Sequence, residues 1–299
     1  MHSDKPMKVA LCWHMHQPEY RNLRSGTFHL PWTYLHAIKD YVDMAAHIEA
    51  VPAARAVVNF APILLEQLED YIEQLRQFLG GQGTITDPLL ADLVEPALPG
   101  DQEAQLALMR RCLQANRDRM INRFEPYRRL ADLAAYYENH PQTLLYASNQ
   151  FLADLLVWYH LSWMPEFARR SDTRIAALED KACNYSLHDR RELLQIILEL
   201  MESIIPRYRA LAQSGQVELT MSPYAHPIVP LLLDMNSARE AMPEAHLPIN
   251  RAYPGGEERA RWHLDQGGAT FERLFGFRPT GLWPSEGGVS QEALAMFAE

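Results

Sequence analysis

The sequence of 299 residues has few basic residues and no long apolar run. Its 28 Lys and Arg residues against 38 Asp and Glu residues give a net charge of −10. Without a long basic run, this charge argues against a nucleic-acid partner. The first residues, MHSDKPMKVALCW, contain no long uncharged apolar segment. Neither a signal peptide nor a membrane span is therefore predicted.

Cysteine is also scarce. Cys12, Cys112 and Cys183 are odd in number and far apart, and no CxxC pair indicates a structural zinc site. Cys12 falls within an apolar stretch, where a free thiol behaves as a small buried hydrophobe. A reducing cytoplasm is the simplest location for such a chain, and we predict it.

Short apolar runs near the N-terminus are followed by helical patterns. Residues 9–13 predict a strand that is buried on both faces, and ARAVVNFAP predicts a second strand that ends at Pro62. The helical pattern after the second strand ends at Gly80 or Gly81, because glycine commonly ends helices. This succession of strand and helix predicts an α/β fold with a parallel sheet.

The pattern changes in the middle of the chain and then returns. Residues 82–213 contain helical patterns with few strand-like runs, which we interpret as a helical insertion packed over one end of a barrel. Residues 217–221 and 280–283 then predict two further strands. At this length, residues 1–299 are expected to form one α/β barrel domain that includes the insertion.

Two histidines mark the end of the first predicted strand. His14 and His16 are two residues apart, so they point to the same side of an extended chain. Pro18 cannot donate to a sheet, and the strand is expected to end near Gln17. Two imidazoles and an amide would then leave one strand end together. The alternative is a pair of histidines hydrogen-bonded inside the core.

Polar residues also follow the later strands. Glu286 lies between an apolar strand and two glycines, which suits a carboxylate approached by a ligand; the alternative is a cap for the next helix. Glu218 alternates with its apolar neighbours, so it faces either solvent or a barrel interior. His226 is either a ligand contact or an ordinary loop histidine. Trp283 belongs to a set of aromatics of which two or three are expected to line a groove.

Three stretches resemble the signatures of one enzyme family. HMHQP at residues 14–18, GQVELTMSPYAHPIVPLL at residues 215–232 and GLWPSEGGVS at residues 281–290 are similar, in this order, to the first three signatures of glycoside hydrolase family 57. This family contains α-amylases and glucanotransferases. The resemblance extends along nearly the whole chain and implies an incomplete (β/α)7-type barrel.

The resemblance also implies residue roles. Glu286 matches the catalytic nucleophile, which predicts a retaining hydrolase or transglycosidase that acts on α-glucans or maltooligosaccharides. His14 and His16 match histidines that hold the substrate where cleavage occurs. No cofactor and no metal ion are expected. The other predicted substrate contacts within the three stretches are Gln17, Glu218, His226 and Trp283.

The general acid/base of the family is an aspartate in a fourth signature, downstream of the nucleophile. The thirteen residues after Glu286 contain no aspartate, and neither Asp234 nor Asp265 matches that signature. We therefore expect either the N-terminal part of a longer enzyme, ending before the last barrel strands, or a chain that lacks half of its catalytic pair.

Two other functions stay open. His14 and His16 have the spacing of a metal pair, so a metal-dependent hydrolase or deacetylase is the first, although no third ligand motif is obvious. A glucan-binding protein without turnover is the second, because the matching aspartate is missing. The oligomeric state is not predicted.

Overall fold

Four parallel strands form one sheet. The computed structural model describes residues 9–250 and 252–299. Each strand pairs with the next one along the chain, in the order β1-β2-β3-β4. The predicted α/β fold with a parallel sheet is confirmed. The strands are β1, Cys12–Met15; β2, Ala56–Phe60; β3, Val217–Met221; and β4, Gly281–Leu282.

The register of the sheet brings distant polar residues into one row. His14 on β1 pairs with Asn59 on β2, and Asn59 pairs with Thr220 on β3. Thr220 in turn pairs with Gly281 on β4. Since all four strands are parallel, their carboxyl ends lie along the same edge of the sheet, and the chain segments that leave the strands meet there.

The prediction of a first strand buried on both faces is wrong. The strand begins at Cys12 rather than at Val9, and the side chains of Val9 and Leu11 are 74% and 52% exposed. The thiol of Cys12 is exposed as well. The reason is the position of β1, which pairs only with β2 within the described sheet. Met15 is the residue of this strand that reaches the core, with 1% of its surface exposed.

The helices that flank the first two strands agree with the sequence pattern. α1 spans Trp32–His36 and continues through one π-helical turn, Ala37–Tyr41, into α2, Val42–Glu49. α3 spans Pro62–Leu79. Pro62 is favourable at the first position because its missing N–H would have no partner there. Gly81, just after the end, has the left-handed φ of 81° that glycine adopts without strain.

Residues 82–213 contain helices and no strand among the residues that the structure describes. α7 is buried on nearly every face, as expected of a mainly apolar helix at the centre of a helical core. The insertion boundaries and its packing over one end of a barrel stay predictions. The helices are α4, Pro88–Val94; α5, Gln102–Cys112; α6, Glu125–Asn139; α7, Asn149–Ser162; α8, Glu166–Ser171; α9, Thr173–Lys181; and α10, Leu187–Gln213.

In the part of the chain that the structure describes, four α-helices follow β3. The longest, α13, begins after Gly255 in a left-handed conformation and ends at Gly276, which is also left-handed. Ser290 caps the last helix, since its hydroxyl accepts a hydrogen bond from the N–H of Ala293. The helices are α11, Val229–Leu233; α12, Ala238–Ala241; α13, Gly256–Phe275; and α14, Gln291–Phe297.

The described residues divide into two compact units. One consists of the described parts of residues 1–19, 47–69 and 205–299, and it contains all four strands. The other consists of residues 20–46 and 70–204 and is helical. Among the described residues, no helix combines the length and the apolar character needed to cross a membrane. The seven-stranded barrel stays a prediction.

The start of α13 provides a test of the packing in the strand-containing unit. A Cβ atom on Gly256 would lie 1.7 Å from the carbonyl oxygen of Leu232, a backbone atom that cannot move independently. Gly256→Ala is predicted to lower the free energy of unfolding by about 3 kcal/mol, as in overpacked cores. The measurement is urea denaturation followed by circular dichroism.

Gly268 in the same helix is the matched control. A Cβ atom there would meet nothing within 4 Å. Gly268→Ala is therefore predicted to raise the free energy of unfolding by about 0.5–1 kcal/mol, because alanine is the better helix former. Equal effects of the two substitutions would show that the contact between Gly256 and Leu232 is not as tight as described.

Candidate active site

A buried asparagine connects three neighbouring strands at the carboxyl edge of the sheet. Asn59 on β2 accepts a hydrogen bond from Nδ1 of His14 at 2.6 Å. Its Oδ1 accepts a second bond from the hydroxyl of Ser222 at 2.9 Å, and its Nδ2 donates to the hydroxyl of Thr220 at 3.2 Å. Since Oδ1 can only accept, Nδ1 of His14 carries the proton. In the neutral imidazole, Nε2 of His14 then has a free lone pair.

Three imidazole rings come together beside this asparagine. The rings of His16 and His226 stack with their centroids 4.0 Å apart, and His14 lies 4.9 Å from His226 and 5.6 Å from His16. One ring nitrogen of each histidine lies within 4.8 Å of the corresponding nitrogens of the other two. His14 and His16 therefore do point to the same side, and His226 joins them from the loop after β3.

The loop that carries His226 is held in an unusual conformation. The N–H of His226 donates to the carbonyl oxygen of Pro223 at 2.8 Å, and the residue has a left-handed φ of 59°. The N–H of Tyr224 donates to the carbonyl oxygen of His263 on α13 at 2.9 Å. A histidine with a positive φ costs conformational energy, which the contacts with α13 offset. The imidazole is thereby placed against His16.

Burial keeps two of these imidazoles neutral near pH 7. Burial, with smaller contributions from the neighbouring His16 and His14, lowers the pKa of His226 to about 4. Burial also lowers the pKa of His16, with a second contribution from His14, while the carboxylate of Glu286 acts in the opposite direction. The charged form of a buried imidazole loses hydration, so the neutral form is favoured. Neutral imidazoles can both donate and accept hydrogen bonds.

Glu286 lies on a tight turn, four residues after the end of β4. It has a left-handed φ of 55° within the turn Ser285–Gly287, and 68% of its side chain is exposed. Its Oε1 lies 3.7 Å from Nδ1 of His226. The alternative role as a helix cap is wrong, since Ser290 caps the following helix. The carboxylate is thus accessible at the edge where the histidines lie.

The two glycines after Glu286 have separate structural reasons. Gly287 has a φ of 70°, which few other residues adopt without strain. A Cβ atom on Gly288 would lie 3.0 Å from Cγ2 of Ile228, closer than ordinary van der Waals contact. Small residues are therefore required to form the turn and to pack it against the segment after His226.

Trp283 forms one side of the same site. Its backbone N–H donates to the carbonyl oxygen of Met221 at 2.7 Å, which continues the pairing of β3 and β4 by one residue. Its indole lies nearly parallel to the ring of His14, with centroids 5.9 Å apart, and remains partly exposed. An exposed aromatic face beside polar groups suits stacking against an amphipathic ligand.

The two remaining predicted site residues are Gln17 and Glu218. Gln17 lies two residues beyond the end of β1 and is partly buried. Glu218 is exposed and lies on β3 two residues before Thr220, about 7 Å toward the amino end of the sheet. There it lines a cavity of about 700 Å³ together with Leu11 and Phe277. The structure does not bring Glu218 to the histidines.

Three hydrogen-bonding residues of the site were not predicted from the sequence: Asn59, Thr220 and Ser222. A usable signal was present in β2, because Asn59 is the polar residue in the apolar run AVVNF. Its burial is complete, and a fully buried amide is expected to have hydrogen-bond partners. Thr220 and Ser222 give no comparable signal, since hydroxyl residues are common near strand ends.

Comparison with known families identifies the chain. The sequence model of Glycosyl hydrolase family 57 matches residues 10–299. The chain belongs to this family. The resemblance read from the three signatures is thereby confirmed. Of the three stretches that resemble the family signatures, the first begins at the end of β1. The second covers β3 and the His226 loop, and the third covers β4 and the Glu286 turn.

The individual relatives have low sequence identity to this chain. Over 119 residues the chain is 27% identical to a 1,4-α-glucan branching enzyme from Thermococcus kodakarensis, an alignment that covers 40% of this chain and 14% of that enzyme. The structure of a family 57 branching enzyme from Pyrococcus horikoshii aligns over 93% of this chain and 34% of its own, with 17% identity and a TM-score of 0.38.

A third relative is an α-amylase. The structure of AmyC from Thermotoga maritima aligns over 97% of this chain and 38% of its own, with 14% identity and a TM-score of 0.44. These TM-scores are too low to establish a shared fold. The chain thus spans at most about two fifths of the length of each of these relatives, and the family membership depends on the sequence model.

The buried His226 predicts a pH dependence of stability. Its pKa is about 4 in the folded chain and near 6.5 in an unfolded one, so between these values the unfolded chain binds more protons. The free energy of unfolding should therefore fall as the pH is lowered through about 6.5 toward 4. Asparagine tolerates the left-handed φ of this position, so His226→Asn should fold and should reduce this dependence. The measurement is urea denaturation at several pH values.

The exposed His188 on α10 provides the control for this test. His188→Gln is expected to leave the slope of stability against pH as in the unsubstituted chain. If His226→Asn has the same slope as the unsubstituted chain, the imidazole of His226 is not held neutral by burial.

Proposed function

We propose that this protein is a retaining glycoside hydrolase or transglycosidase that acts on α-glucans, with Glu286 as the nucleophile. The supporting observation is the exposed carboxylate of Glu286, which lies 3.7 Å from His226 at the edge where the three family 57 signatures meet. A carboxylate that is accessible and ionised can attack an anomeric carbon to form a glycosyl-enzyme.

The histidines and Trp283 would position the sugar for this attack. The free lone pair on Nε2 of His14 and the polar edge of His16 can bond to neighbouring hydroxyl groups of a sugar ring. The exposed face of Trp283 can pack against the apolar face of a ring. Positioning of this kind brings the anomeric carbon near the nucleophile and lowers the entropic part of the barrier.

A retaining mechanism also needs a general acid about 5–5.5 Å from the nucleophile. Family resemblance assigns this role to an aspartate in a later segment. Asp234 is occupied locally, because its Oδ1 accepts hydrogen bonds from the backbone N–H and the side-chain amide of Asn236. Asp265 lies on α13 and lines a different cavity of about 650 Å³. We therefore do not assign the acid to either residue.

The finer fold assignment is part of the same proposal. Four parallel strands in chain order, with helices between them, are what the first part of an incomplete (β/α)7-type barrel would contain. We propose that the sheet belongs to such a barrel, with residues 82–213 as its helical insertion. The cytoplasmic location and the lack of a nucleic-acid partner stay predictions from composition.

The decisive substitution is Glu286→Gln. The amide is nearly the same size but cannot act as a nucleophile, so we predict that turnover of an aryl α-maltooligoside falls by about 10³-fold or more. Such a substrate has a leaving group that needs little protonation, which makes the test independent of the general acid. Binding of maltoheptaose, measured by calorimetry, should change little.

Glu292→Gln is the matched control. Glu292 is exposed in the first turn of α14, six residues after Glu286, and its substitution should leave turnover unchanged. Turnover by Glu286→Gln at the unsubstituted rate would refute the proposed nucleophile. Binding of maltoheptaose without any turnover by the unsubstituted protein would instead favour a glucan-binding protein.

A metal-dependent hydrolase or deacetylase is the second candidate. The observation that favours it is His226, which supplies the third nitrogen ligand that no sequence motif indicated. Three neutral imidazoles with an open position are a common catalytic zinc site. Activity that is lost on chelation and restored by zinc would select this candidate, whereas chelator-resistant turnover of glucans would exclude it.

A further inference from the structure

We propose that His14, His16 and His226 bind a divalent cation of the zinc class, and that the cation and a glucan exclude each other from this site. The cation half of the proposal depends only on the geometry of the imidazoles. The exclusion half rests on the proposed function, since it requires the same side chains to hold a sugar.

The three nitrogens lie somewhat farther apart than the ligands of a coordinated ion. One nitrogen from each histidine lies within 4.8 Å of the other two. Ligands of a tetrahedral zinc ion lie about 3.3–3.4 Å from one another, because each Zn–N bond is about 2.0–2.1 Å long. Side-chain rotations can close the remaining gap.

His14 is oriented as metal-bound histidines usually are. Its Nδ1 donates to Oδ1 of Asn59 at 2.6 Å, and the same oxygen accepts from Ser222. Metal-ligating histidines characteristically donate their second ring N–H to a carboxylate or carbonyl oxygen, which fixes the ring and its tautomer. With Nδ1 engaged, Nε2 is the atom left to bind a cation.

His226 provides an independent observation. Only 4% of its side chain is exposed, and its Nε2 has no hydrogen-bond partner. A buried polar atom without a partner is rare and calls for a specific explanation, such as an ion. A cation among the three rings would satisfy this nitrogen, whereas packing of the rings alone leaves it unsatisfied.

The surrounding atoms select the class of cation. Imidazole nitrogens favour zinc, copper, nickel and cobalt over magnesium and calcium, which prefer oxygen ligands. Glu286 is not counted among the ligands, because its Oε1 lies 3.7 Å from Nδ1 of His226, the ring nitrogen that does not bind the cation. A sugar held by His14 and His16 would need the same imidazole nitrogens as the cation, so the two occupants would compete for the histidines.

The first experiment measures cation binding without any measurement of activity. The protein is titrated with zinc chloride by calorimetry, and cobalt chloride is used to record the visible spectrum of a nitrogen-ligated ion. We expect one ion per chain, with affinity at least about tenfold weaker in His226→Asn and in His16→Gln. His188→Gln serves as the control and should bind as the unsubstituted chain does.

Folding of each variant is checked by its thermal transition, and the second variant keeps the test valid if one of them unfolds. No saturable binding of zinc, or equal binding by both site variants and the unsubstituted protein, would overturn the cation site. The proposed nucleophile would be unaffected by that result, because it is tested by Glu286→Gln.

The second experiment tests the exclusion. Saturation with maltoheptaose should weaken zinc binding, and zinc should weaken the binding of maltoheptaose by the same factor, since coupling between two ligands is reciprocal. Independent binding of both would overturn the exclusion. Zinc-dependent turnover of glucans would overturn it too, because the ion and the sugar would then occupy the site together.

Discussion

The hydrogen bonds of the Asn59 side chain are the interaction on which the candidate site depends. This fully buried amide bonds to His14 on β1, to Thr220 on β3 and to Ser222 just beyond β3. Leaving such a group unsatisfied costs about 1–3 kcal/mol for each unmet polar atom. A shift of one residue in strand register would move the amide to the opposite face, so the same bonds fix the register and orient His14.

Two turns with left-handed residues complete the arrangement. His226 and Glu286 have φ values of 59° and 55°, and they belong to segments that follow β3 and β4. Such conformations cost about 1–3 kcal/mol each and persist only where surrounding contacts stabilise them. The backbone bonds between Tyr224 and α13, and the close packing of Gly288 against Ile228, provide those contacts. The sheet thus positions His14, while the two turns position His226 and Glu286.

Much of the fold could be predicted from local chemistry. Pro62 and Gly81 delimit α3, and Ser290 begins α14, because proline, glycine and serine act at helix ends through their own backbone or hydroxyl groups. The common direction of His14 and His16 follows from strand alternation. The exposure of Val9 was not predictable in the same way, since it depends on which strand lies at the edge of the sheet.

The rest of the site depends on contacts that are distant along the chain. Asn59 and Ser222 are separated by 163 residues, and no local pattern indicates that they meet. The approach of His226 to His16 depends on a loop conformation that sterics disfavour for histidine, so local propensity argues against it. Glu218 was predicted as a site residue because it lies in a signature, yet its position near the start of β3 keeps it away from the carboxyl edge of the sheet.

The most direct test of the central claim is to trap the covalent intermediate. A fluorinated α-glucosyl fluoride has a leaving group that needs no general acid and forms a slowly hydrolysed glycosyl-enzyme with a retaining nucleophile. Peptide mapping by mass spectrometry should locate one added sugar on Glu286, and maltoheptaose should protect against the labelling. A label on another carboxylate, or no label while the protein turns over the same substrate, would contradict the assignment of Glu286 as the nucleophile.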